Sequence, residues 1–163
     1  GEPCETGICL HWWPKLAPPK GWHQDRGSSL KYESNALAPD GASFSDAEAV
    51  IYARALSKPG TPKTLSVAML IEEDKSEVHS QDPDMAIKPV EAIVTADGRK
   101  LPAFTFVSAV QDTWEQVAYG EEGEYYLIFT LSARNEAAYQ RALPAYLKLV
   151  RSYREKPPGK GKG

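Results

Sequence analysis

Residues able to do chemistry are few in this chain, and their spacing limits what they can do. The two cysteines stand in Cys4-Glu5-Thr6-Gly7-Ile8-Cys9. Redox motifs hold two residues between their cysteines, and here there are four. A zinc site would need further ligands, and only His11 is near in sequence. The expectation is a small structural disulfide ring between Cys4 and Cys9. Such a ring points to an oxidising compartment, the periplasm or the cell exterior.

Nucleophilic catalysis needs a nucleophile, a base and a group that orients the base. No Gly-x-Ser-x-Gly turn is present. The three histidines are scattered: His11 and His23 lie in an irregular stretch and His79 at a polar helix end, so all three read as solvated. Glu72, Glu73, Asp74, Glu77 and His79 come nearest to a metal cluster, but their order suits one solvated helix face. Gly159, Gly161 and Gly163 fall in the tail rather than between a strand and a helix, so no phosphate loop forms. No pair of carboxylates stands out for glycoside hydrolysis. The residues therefore assign no catalytic group, metal or cofactor, and the chain reads as a non-enzyme.

Binding residues are easier to nominate. Residues 10–22 hold Trp12, Trp13 and Trp22 among three prolines that forbid a regular element. One reading is an exposed aromatic platform for a partner or a carbohydrate. The other, favoured because exposed indole is costly, is an arm packed on the domain. Acidic residues gather at Glu72, Glu73 and Asp74, and again at Glu121, Glu122 and Glu124. Acidic surface can cover a basic cleft on a partner and speed its association.

Several elements must position these groups. Residues 125–131 are apolar without alternation, the pattern of a strand covered on both faces. With 114–119 they read as a hairpin around Glu121-Glu122-Gly123. Asn135 then caps a helix whose Tyr139, Ala142, Tyr146, Leu149 and Val150 form one apolar stripe. Pro144, inside that helix, is expected to bend or interrupt it. Residues 86–110 read as a second hairpin around Asp97-Gly98, with Pro89 and Pro102 at edge or strand-end positions. Residues 64–80 read as a helix capped by Thr64. Residues 30–33 read as a short strand, and Ala38-Pro39-Asp40-Gly41 as a turn. Residues 49–56 fit a strand or a helix equally well on pattern alone.

The chain has 163 residues, enough for one domain with a substantial core. A net charge of -3 is too small to imply a polyanionic partner. No run approaches the roughly 18 apolar residues of a membrane helix. The abrupt start at Gly1-Glu2-Pro3-Cys4 reads as a mature or trimmed chain.

The order of elements, with Gly21-Trp22, Gly41-x-Ser43-Phe44 before Val50-Ile51-Tyr52, Asp97-Gly98-Arg99 and Leu131-Ser132-Ala133-Arg134, resembles the Mog1/PsbP-like superfamily. Within it, the likeness is to small secreted bacterial proteins of unassigned function, and it covers residues 18–153. The resemblance implies an α+β fold, a central antiparallel sheet flanked by helices in an α/β/α sandwich. It also tips 49–56 towards strand. The organisation expected is a Cys/Trp/Pro-rich arm (1–17), one α+β domain (18–154) and a disordered tail (155–163). Members of that superfamily act mainly as binding or assembly modules, though no functional motif of theirs matches here. The function implied is a periplasmic or secreted binding or accessory protein acting on a protein partner. Its concrete forms are an immunity protein or inhibitor of a bacterial toxin, and a secretion-system adaptor. The alternative is a lipid or metabolite binder, or a hydrolase, with a pocket between sheet and helix lined by Tyr119, Tyr125 and Tyr139.

Overall fold

The computed structural model describes residues 14–58 and 66–155, and the backbone of 2–4 and 7–9. Ahead of residue 14, β1 (Glu2–Cys4) pairs antiparallel with β2 (Gly7–Cys9). Their register sets Cys4 opposite Gly7 and Cys9 opposite Glu2. The cysteine side chains, and with them the expected disulfide, lie outside the described residues, as do His11, Trp12, Trp13, Thr64 and the tail from 156.

The chain then makes an antiparallel meander of β3 (Trp22–Gln24), β4 (Asn35–Pro39) and β5 (Ala49–Ser57), with helix α1 (Arg26–Tyr32) between its first two strands. Residues 49–56 are strand, with Ala49, Ile51 and Ala53 buried at every second position. Residues 30–33, expected as a strand, fall in α1 and its C-cap instead. Asp25 decides this. Its carboxylate accepts the Ser28 N–H at 2.9 Å, capping the helix, and the Phe44 N–H at 2.8 Å. Those two bonds, Phe44 first, hold its carboxyl below the usual carboxylate range.

Helix α2 (Val67–Gln81) follows, with Ser66 as its N-cap and not Thr64. A second meander comes next: β6 (Ala86–Val94), β7 (Lys100–Ser108), β8 (Thr113–Glu122) and β9 (Tyr125–Ala133). Two of its turns need left-handed backbone, and glycine supplies it at Gly98 (φ 83°) and Gly123 (φ 57°). The two meanders join where β5 pairs with β9 along its whole length, from Ala49↔Ala133 to Ser57↔Tyr125. One sheet of seven strands results, ordered β3-β4-β5-β9-β8-β7-β6. β6 is its long edge, unpaired on its outer side among the described residues. Pro89 sits on that edge, and Pro102 of β7 falls where the β6–β7 ladder slips between Val90 and Ile93. The prolines thus occupy positions where a missing N–H is tolerated.

Helix α3 (Glu136–Ser152) lies on one face of the sheet. Asn135 caps it, its side chain accepting the Ala138 N–H at 2.8 Å. Its buried Ala142, Tyr146, Leu149 and Val150 pack on Phe129 and Leu131. Pro144 does not interrupt it; the proline sits on the exposed side, so the lost backbone bond faces water.

The helix-flanked α/β/α sandwich implied by the resemblance is not what forms. This is a mainly-β fold, a seven-stranded antiparallel sheet with three helices. The physical reason lies in the sequence of α2, where charged and polar residues leave only Leu70 and Ile71 buried. So narrow a stripe covers part of a face and does not make a layer. The α1 helix has seven residues and covers a patch at the β4 edge.

Candidate functional site

Alternation sorts the strands' side chains onto two faces. The α3 face is mainly apolar, with Gln116 buried on it against Tyr139. The other face carries a second apolar cluster, in which Leu70 and Ile71 of α2 meet Phe106, Tyr119, Tyr126 and Ile128. Next to it, polar residues recur at alternate positions of three neighbouring strands. Tyr52 of β5 lies opposite Thr130 of β9, and Ser132 of β9 lies opposite Glu115 of β8. Arg54 of β5 follows on the same face, opposite Ile128.

Tyr52, Arg54, Glu115, Ile128 and Thr130 line a cavity of about 150 Å³ between the sheet and α2. Phe106, Val117 and Ile128 form its apolar floor, while Tyr52, Thr130 and Glu115 supply polar groups from the sheet. Asp74 and Val78 close one side from α2, and Arg54 lies exposed at the rim. On the far side Tyr52 stacks edge-on against Phe44 at 6.1 Å, and Phe44 meets the exposed Tyr32 at 6.0 Å.

Electrostatics here differ from those of a solvated surface. Burial pushes the Glu115 carboxyl up; the Ser132 hydroxyl, donating to Glu115 Oε2 at 2.8 Å, opposes this, and the charge of Asp74 reinforces it. Burial, then the charge of Glu115, pushes Tyr52 up to about 12. Burial and the bond to Asp74 raise Tyr119 well above the usual phenol range, and its hydroxyl donates to Asp74 Oδ2 at 2.5 Å. Both phenols are therefore neutral donors at physiological pH. Arg54 forms no hydrogen bond or ion pair among the described residues, although it shares the cavity with two carboxylates.

The residues nominated from sequence are dispersed. Trp12 and Trp13 lie outside the described residues. Trp22 is half-buried on the main core and walls a separate surface hollow beside Glu48 and Arg141. Glu72 and Glu73 are exposed on the outer side of α2, around a shallow hollow with Ala68, Met69 and Ser76. Asp74, expected with them, turns inward to Tyr119. Glu121 and Glu124 are exposed, Glu121 pairing with Lys58 at 2.7 Å. Glu122, expected at the surface, is buried and accepts the Tyr153 hydroxyl. The strand's alternation explains it, since Glu121 and Glu122 must face opposite ways. The expected pocket of Tyr119, Tyr125 and Tyr139 does not form: Tyr119 packs on the α2 face, Tyr139 on the α3 face, and Tyr125 is exposed.

His23 Nδ1 lies 3.2 Å from Asp40 Oδ1, and His79 Nε2 lies 2.9 Å from the Met85 carbonyl oxygen, both at exposed positions away from the cavity. Among the described residues, no group of three or more His, Cys, Asp or Glu side chains converges to hold a metal ion. No helix among them is long and apolar enough to cross a membrane.

No known family model matches the chain, and no curated protein matches it.

Proposed function

We propose that this is a binding protein for a small molecule, and that the cavity beside α2 is its site. One observation carries the reading. A mostly buried carboxylate, Glu115, stands on the sheet face beside an apolar floor of Phe106, Val117 and Ile128, and it opens into a cavity. Burying such a group is costly unless its partners compensate, and the Ser132 hydroxyl is a weak compensation for a charge. A fold selected for stability alone would carry an apolar residue there, as Val117 does one pair away on the same strand. The site is small against typical ligand pockets of about 300–1,000 Å³, so the ligand is compact. The reading is binding and not catalysis: Ser132 spends its hydroxyl on a carboxylate, and among the described residues no histidine lines the cavity.

The test is a thermal-shift screen of the full chain on a panel of metabolites, repeated with Glu115→Gln and Thr130→Val. Compounds that stabilise the native chain and lose their effect in both variants support the cavity as the site. Stabilisation that persists in both variants overturns it.

A second reading has its own support. Met69 is 46% exposed on the outer side of α2, between Ala68 and the exposed Glu72 and Glu73. An apolar centre with an acidic rim suits a basic protein partner. An inhibitor or immunity protein, or a secretion-system adaptor, in the periplasm or outside the cell would use such a surface. Affinity capture with the native chain and with Met69→Lys/Glu73→Lys separates this from the first reading. A stoichiometric partner lost in the double variant supports it, and an unchanged partner removes α2 as the contact.

A further inference from the structure

The cavity beside α2 holds both signs of charge, and they do not neutralise one another. Arg54 lines it without any ion pair among the described residues. Among the described residues, Asp74 and Glu115 line it with hydroxyl donors alone, from Tyr119 and Ser132. A guanidinium and a carboxylate free to meet in a partly desolvated hollow would gain from doing so. For Arg54 and Glu115 the sheet register shows why they do not. Arg54 lies opposite Ile128 and Glu115 opposite Ser132, so β9 separates their strands and a step of four positions along β9 separates their rows. At sheet spacings that is roughly 13 Å along the strands and about 10 Å across them. Neither side chain is long enough to close that gap, and the space between them is the cavity.

Building on the proposed small-molecule site, we propose that its ligand is a compact zwitterion of the α-amino-acid type, with an aliphatic side chain of about leucine size. The ammonium group sits with Glu115 and Asp74, the two carboxylates close enough for the charge of one to act on the other. The carboxylate takes the fork of Arg54 at the rim, where bidentate geometry favours arginine. The side chain rests on Phe106, Val117 and Ile128. Size agrees, since a cavity of about 150 Å³ is known to accept a group the size of benzene. Tyr52 and Thr130 remain as neutral hydroxyls that orient the polar end. A plain amine would leave Arg54 without a partner, and a plain carboxylic acid would meet two carboxylates.

Calorimetry on the full chain with three matched probes tests this: leucine, 3-methylbutylamine (leucine without its carboxylate) and 4-methylpentanoate (leucine without its amine). Leucine is expected to bind at least tenfold more tightly than either. Arg54→Gln should bring leucine down to the affinity of the amine, and Glu115→Gln down to that of the acid, with thermal midpoints confirming that both variants fold. An amine that binds as well as leucine overturns the zwitterion, and so does an acid that binds as well. If none of the three binds while other compounds give shifts that depend on Glu115, the ligand class is wrong and the cavity reading stands. If nothing on the wider panel binds, the cavity reading itself fails.

Discussion

The hydrogen bond between Tyr139 and Gln116 ties α3 to the sheet, and its removal should be measurable. The Tyr139 hydroxyl donates to Gln116 Oε1 at 2.8 Å. Both residues are buried, at 6% and 5% exposure, so neither group can exchange its partner for water. Burial raises the Tyr139 phenol, which keeps the donor protonated. Tyr139→Phe leaves the apolar packing intact and orphans the amide oxygen, a loss of about 1–3 kcal/mol. For a chain of this size the midpoint should fall by about 2–4 °C for each kcal/mol. Gln116→Met should cost a similar amount by orphaning the hydroxyl. The double variant removes both polar groups, and its cost should fall short of the sum by about 1 kcal/mol or more. Urea unfolding followed by far-UV circular dichroism gives the three values. Trp114, whose ring lies 5.6 Å from that of Tyr139, gives a second fluorescence readout. A Tyr139→Phe cost below about 0.5 kcal/mol, with additive behaviour in the double variant, would refute the reasoning.

Three further outcomes follow from the same geometry. Burial raises the Glu115 carboxyl, so the folded chain holds that proton more tightly than the unfolded one; this contribution to stability should fall as pH rises from the ordinary glutamate value of about 4.3 through the raised folded one, and Glu115→Gln should raise neutral-pH stability and flatten that slope in pH-resolved urea titrations. A Cβ added at Gly120 would lie 2.9 Å from Leu101 Cδ2, the end of a buried side chain, so Gly120→Ala should cost about 1 kcal/mol by chemical denaturation and lose less in a Leu101→Val background. Pro144 withholds an N–H from α3 at an exposed position, so Pro144→Ala should stabilise the chain by about 2 kcal/mol, the helix gain less the entropy proline removes from the unfolded chain; a lower thermal midpoint would contradict this.

Local signals reached most of the elements and little of the site. The apolar run at 125–131, the Asp97-Gly98 turn and the stripe from Tyr139 to Val150 each carry their own pattern, and each forms as read. The Leu30-Lys31-Tyr32 segment misled because Asp25, several residues upstream, supplies a cap whose second oxygen is held by Phe44, a partner invisible to a local window. The layer architecture failed for a related reason. A helix over 64–80 is legible, and it forms as Val67–Gln81, but how much sheet it covers depends on the two residues it buries. The cavity lies furthest from local reading. Tyr52, Arg54, Glu115 and Thr130 are each an ordinary polar residue in an alternating strand. They become neighbours only because β5 pairs with β9 and β9 with β8, which brings Tyr52 and Arg54 to a hairpin whose Glu115 and Thr130 lie more than sixty positions further along the chain. The one available hint was that polar residues share the same alternate set in all three strands, and that hint has meaning only once the register is known. Glu122 shows the converse, since an acidic run draws the eye to the surface while strand alternation sends one member inward.

The sheet is open, and an open sheet has ends to which other chains can add. The β3 end is three residues long and offers little. The β6 end runs nine residues, with Val90 and Val94 exposed at 37% and 47%. Left flat, it would nucleate growth from molecule to molecule. Pro89 has no N–H to give an incoming strand, and the slip between Val90 and Ile93 throws any longer partner out of step. These two irregularities act as a chain terminator for self-assembly. The same backbone defects that weaken β6 as part of the fold make it a poor template for a further strand.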